Sequence, residues 1–237
     1  MIKATDISSQ LKSQSDPVKK DVLLRFFKTN IGQYGYGDIF LGVTAPKIRA
    51  IAKANKKILL DEVLQLLSSQ IHEERLISLY FMIEHYKSGD NHLKNKIFEL
   101  YLANTKYINN WNLVDSSAEY IIGNFLLDKP KDILFELAKS DDLWEKRISI
   151  IATFCFIKKG HFETTLKISN ILIEDKHDLI HKAVGWMLRE VGKRCSEKIL
   201  CEYLEANSSK MSRTTLRYAI EKLEPNKRIY FLRKDLK

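Results

Sequence analysis

The sequence predicts an all-α protein: antiparallel helix pairs stacked as a curved α-solenoid, one domain over residues 1–237. Three observations carry this. Helix breakers are scarce, with four Pro and nine Gly in 237 residues, while Leu, Ile and Lys abound. Apolar residues recur at three- and four-residue spacing almost throughout, and no useful period-2 run occurs. Finally, the second helices of successive pairs start near residues 72, 110, 142 and 177, roughly 32 to 38 residues apart, an interval that suits stacked helical repeats.

The elements follow in order. Asp16-Pro17 offers an N-cap with Pro at the first helical position, ahead of a stripe of Val18, Val22, Leu23 and Phe26. Asn30 to Val43 holds four of the nine glycines and reads as a loop between helices. Thr44, Asp61, Asp90, Asp141, Ser196 and Ser212 each precede an apolar-periodic run, as N-caps do. Further stripes are Leu76, Leu79, Tyr80 and Ile83; Val114, Ala118, Ile121, Ile122 and Phe125; and Ile148, Ile151, Ala152 and Cys155. Each is expected to bury one helix face. Lys129-Pro130 closes one helix and opens the next.

Lys and Arg number 39 against 30 Asp and Glu, a formal charge of +9. A basic balance in an otherwise ordinary composition suits either a polyanionic partner or a Lys-rich proteome. Arg75, Arg147 and Lys182 recur at similar places in three of the repeating helices, with Asn112 in the fourth. In a solenoid, that recurrence would give a basic concave face. No stretch approaches the ~20 apolar residues of a membrane span, and the N-terminus shows no signal peptide. Cys155, Cys195 and Cys201 lack disulfide or zinc spacing, which fits a reducing cytoplasm. His177 and His181 stand at i and i+4 without a third ligand in register, so no metal is expected. Gly35-Tyr36-Gly37 is no dinucleotide loop, and neither a P-loop nor a nucleophile elbow occurs.

The chemistry concentrates between Asn109 and Arg189, which holds Trp111, Trp144 and Trp186. A tryptophan taken alone is usually a core anchor. Here, however, Trp111 lies one turn before Asp115, and Trp144 and Trp186 each precede an arginine, Arg147 and Arg189, by three residues. Aromatic faces with an interleaved carboxylate and guanidinium suit a binding surface. Asp115 sits among apolar and small neighbours in WNLVDSSAEYII. It is either a functional group or a strut partnered by Ser116 or Ser117.

These residues resemble a known family. NNWNLVDSSAEYIIG, DDLWEKRISII and HKAVGWMLREVGK are similar to segments of the AlkD family of DNA alkylation repair glycosylases, which are built from HEAT-like repeats. GDIFLGVTAPKIRAIAK and MSRTTLRYAIEKL resemble its N- and C-terminal parts, so the likeness spans about Leu24 to Leu223. The resemblance implies Asp115 as the catalytic aspartate and Trp111 and Trp186 as aromatics against the damaged nucleotide. It implies Arg147 on the DNA backbone, with Thr44, Lys47, Arg49, Arg189 and Arg213 as further phosphate contacts. The sequence departs from the family at Asn110, where a second aromatic is common.

The implied function is hydrolysis of the N-glycosidic bond of cationic N3- or N7-alkylated purines in duplex DNA, by a monomer without cofactor. The chemistry is self-consistent. A cationic base leaves readily, so one carboxylate that stabilises an oxocarbenium-like sugar and orients water suffices. Two other readings stay open: a non-catalytic binder of damaged or branched DNA, and a protein–protein adaptor.

Overall fold

The computed structural model describes residues 1–234. All regular secondary structure among them is helical, apart from one isolated parallel bridge between Ile39 and Ile71. Contacts divide the chain into two compact units, Met1–Ser117 and Ala118–Lys237.

The first unit contains α1 (Ala4–Ser13), α2 (Pro17–Phe26), α3 (Ala45–Ala54), α4 (Leu60–Leu67), α5 (His72–Ser88), α6 (Asn91–Ala103) and α7 (Trp111–Ser117). Its centre is α5, which is buried nearly all round and packs on α3, α4, α6 and α7. A helix without a solvent face loses the polar stripe of an amphipathic one. Its first turn accordingly reads His-Glu-Glu-Arg, four buried polar residues that need internal partners. Glu73 finds them at the end of the Asn30–Val43 loop, where its carboxylate accepts from the amides of Leu41, Gly42 and Val43 at 2.9–3.2 Å. Gly42 permits this turn: its φ is +84°, and a Cβ there would lie 2.1 Å from the Asp16 carbonyl oxygen.

The second unit contains a π-turn (Glu119–Gly123), α8 (Asn124–Leu126), α9 (Asp132–Lys139), α10 (Leu143–Ala152), α11 (Phe154–Ile157), α12 (Glu163–Leu172), α13 (Asp178–Arg194), α14 (Glu197–Asn207), α15 (Arg213–Ala219) and α16 (Pro225–Lys234). Here α13 is central, against α10, α12, α14 and α15. A Cβ on Gly185 would lie 2.5 Å from both the Thr215 carbonyl oxygen and Tyr218 Cβ, so glycine permits the close approach of α13 and α15.

The four repeating starts emerge at 72, 111, 143 and 178. Asp16, Asp90, Ser196 and Ser212 cap their helices through the side chain. Three expectations need correction. The helix in which Asp61 was expected to be the cap begins at Leu60, which places Asp61 inside the first turn. The cap of α10 is Asp142, which accepts from the Trp144 and Glu145 amides at 2.7 and 3.0 Å, rather than Asp141. The third concerns α2, which has no buried residue: Val18, Val22 and Phe26 are 76, 53 and 58% exposed.

Candidate active site

In the first unit, Trp111 and Asp115 stand one turn apart on α7, both half-buried. Trp111 rests on an aromatic column. Its ring stacks on Phe27 at 5.3 Å, Phe27 stacks on Phe40 at 5.1 Å, and Phe40 stacks on His72 at 4.4 Å. Phe26 meets Trp111 edge-on at 5.6 Å and remains largely exposed. Such contacts fix an indole while leaving part of its surface to a partner. Phe26 is a candidate that sequence reasoning missed, since its helical stripe reads as core. A cleft of about 340 Å³ opens beside the column, with Val22, Phe27, Phe40, Thr44, His72 and Asn112 among its lining.

Around Asp115, the Ser117 hydroxyl donates to the Leu113 carbonyl at 2.6 Å, so the Tyr101 phenol donates to Ser117 Oγ at 2.8 Å. Burial holds the Tyr101 phenol far above its ordinary pKa. The Ser117 bond opposes this, while the Asp115 charge adds to it. Ser117 is therefore engaged by Tyr101 and its own helix. Asp115 itself stands half-exposed at the surface of α7.

The remaining candidates of this unit lie on or next to α3. Thr44 is its N-cap position, without a side-chain cap bond, and Lys47 and Arg49 are exposed. The Arg49 guanidinium lies over the Tyr80 ring at 5.4 Å.

In the second unit, Trp186 is half-buried on α13, with the Phe154 ring 5.7 Å away. Lys158 and Arg194 lie over Phe154 at 4.3 and 5.3 Å. Trp144 is core, 7% exposed. Its pairing with Arg147 is thus an interior one, a correction to its reading as part of a binding surface. Arg147 is 5% exposed, and its Nη1 donates to the Leu179 carbonyl at 2.5 Å, joining α10 to α13. Arg189 pairs with Glu190 at 3.2 Å and Glu221 at 2.5 Å. Arg213 is exposed, and its Nη1 donates to the Leu232 carbonyl at 2.9 Å.

The recurring cations at 75, 147 and 182 are tied within the protein. Arg75 is buried against Asp38 at 2.6 Å, Arg147 bridges two helices, and Lys182 pairs with Asp178 at 2.6 Å. His177 caps its own helix, and His181 Nε2 bonds the Asp175 carbonyl at 2.5 Å. Among the described residues, no group of three or more His, Cys, Asp or Glu could hold a metal, and no helix is long and apolar enough to cross a membrane.

Stacked helices carrying a half-buried tryptophan and carboxylate one turn apart define a helical-repeat protein with a candidate aromatic–acidic site. The family model for DNA alkylation repair enzymes matches residues 7–223, and the chain belongs to that family. The solved structure of a predicted DNA alkylation repair enzyme from Enterococcus faecalis is similar in fold, with a TM-score of 0.69 at 15% identity, covering 90% of this chain and 98% of that one. A comparison with curated proteins gave no match.

Proposed function

We propose that this protein is a monofunctional DNA glycosylase that hydrolyses the N-glycosidic bond of cationic N3- or N7-alkylated purines in duplex DNA. The observation that carries this reading is the pairing of Trp111 with Asp115 on one face of α7, in a member of the DNA alkylation repair enzyme family. Alkylation at N3 or N7 makes the base cationic and labile, so general-acid assistance is unnecessary. As the base departs, positive charge builds on the sugar. The Asp115 carboxylate stabilises that charge and orients the attacking water.

Trp111, held by Phe27 and edged by Phe26, presents an aromatic surface to the cationic nucleotide, worth roughly 0.5–2 kcal/mol by cation–π attraction. Trp186 serves as a second aromatic contact. Lys47, Arg49 and Arg213, all exposed, hold phosphates without reading sequence, assisted by Thr44 and Arg189. Arg147 enters as a strut of the second unit.

The experiment is incubation with duplex DNA carrying 7-methylguanine, assayed for free base and an abasic site. Release by the wild type, and none from DNA carrying uracil, is the expected result. Tight binding without release would sink the enzymatic reading in favour of a binding-only protein.

A further inference from the structure

Trp111 is bracketed by two asparagines, and both are tied to one buried carboxylate. Asp38 lies within the glycine-rich loop, 9% exposed. Its Oδ1 accepts from Arg75 Nη2 at 2.6 Å. Its Oδ2 accepts from Asn110 Nδ2 at 3.3 Å and pairs with His72 Nδ1 at 2.9 Å. On the far side of the imidazole, His72 Nε2 lies 2.9 Å from Asn112 Nδ2.

The proton arrangement follows from these partners. A carboxylate only accepts, so His72 Nδ1 carries the proton toward Asp38. In that tautomer the Nε2 lone pair faces the Asn112 amide nitrogen, whose N–H donates to it. Asp38 is held below the usual carboxylate range: burial pushes it up, and its His72, Arg75 and Asn110 partners together outweigh that. The ionised form is the one that organises all three donors.

We infer that Asp38 is a positioning residue for Trp111 and Asp115, acting through two arms: Asn110 directly, and Asn112 by way of His72. The first turn of α7 is a helix N-terminus whose amides lack intrahelical partners, and it needs outside restraint. Asn110 restrains it from the backbone side as well, since its carbonyl accepts from the Leu113 and Val114 amides at 3.1 Å. Holding the residues on either side of Trp111 fixes the rotation of that turn. Asp115, one turn on, is aimed with it. The His72 ring also closes the aromatic column, lying against Phe40 and Phe27 at 4.4 and 5.0 Å. Imidazole thus supports the indole by stacking through Phe27 and by hydrogen bonding through Asn112.

This inference rests on the glycosylase reading for its kinetic consequence. The test is a double-mutant cycle on single-turnover release of 7-methylguanine from duplex DNA, with DNA affinity measured beside it. Asn112→Ala cuts the second arm at a half-buried position, and His72→Phe keeps the stacked ring but removes both hydrogen bonds. Each is expected to slow base release by up to about a hundredfold, the scale of a misplacement near 1 Å, with DNA affinity unchanged. Because both cut the same arm, the double variant is expected to be no slower than the slower single. Wild-type rates in both singles, or losses that multiply in the double, would overturn the proposal. Should the wild type release no base, the glycosylase reading fails. The positioning claim is then decided by the indole N–H resonance of Trp111. It should move in Asp38→Asn, and in Asn112→Ala if the first variant does not fold, while those of Trp144 and Trp186 stay in place. An unmoved Trp111 resonance overturns it.

Discussion

The three tryptophans have different work, and single substitutions separate it. Trp144 is 7% exposed among core side chains, so Trp144→Ala opens a cavity and is expected to lower unfolding free energy by about 3–5 kcal/mol in urea titrations. Trp111→Ala and Trp186→Ala remove half-buried rings and should lower stability less while slowing base release. Equal destabilisation by all three would contradict the division. Asp115→Asn keeps shape and removes charge. Base release should fall about a hundredfold or more with folding and DNA affinity intact, on the scale of losing a preorganised electrostatic group. A variant that unfolds while its folded fraction stays fully active would make Asp115 a strut. The sequence marks Trp111 and Asp115 by their one-turn spacing. It does not mark Phe26, whose exposure depends on how α2 packs, nor Asp38, whose partners lie 34 to 72 residues away.

Among the elements, helix periodicity and start positions were legible because they are local: spacing sets the buried face, and a cap bonds amides two or three residues on. The errors are those of tertiary context. Val18, Val22 and Phe26 form a helical stripe that stays more than half exposed. At α10 two aspartates stand in succession, and the sequence alone does not choose between them. Asp142→Ala should lower stability by about 1 kcal/mol, because two amides lose their acceptor, whereas Asp141→Ala should change it little. The reverse order in thermal unfolding would restore Asp141 as the cap. The loop before α3 carries a pH dependence through Asp38. Its folded pKa lies below that of the unfolded chain, so its contribution to stability is fully present above about pH 4 and is lost as pH falls through the folded value. Asp38→Asn should therefore be less stable at neutral pH and lose less on acidification. Parallel acid-unfolding curves for variant and wild type would count against an ionised Asp38.

For the whole molecule, the net charge of +9 and the DNA alkylation repair family imply a phosphate-binding protein. The recurring positions 75, 147 and 182 do not supply it freely, being tied to Asp38, the Leu179 carbonyl and Asp178. A repeat in sequence shows that a position recurs in the architecture. Whether its side chain faces a ligand or braces the next helix is decided by neighbours distant in the chain. Affinity for duplex DNA should be independent of sequence and fall steeply with salt, as neutralised phosphates release counterions; six to ten contacts would lower it by roughly 10³–10⁵ between 50 and 200 mM. Exposed and buried cations should then separate in one experiment. Arg213→Ala removes an exposed guanidinium and should reduce the slope of log affinity against log salt by about 1, leaving stability nearly unchanged. Arg147→Ala strips the Leu179 carbonyl of a donor in a buried site and should lower stability by about 1–3 kcal/mol with the salt slope intact. If Arg147→Ala instead reduces the slope and leaves urea unfolding unchanged, its guanidinium meets phosphate in the complex and the strut assignment is wrong.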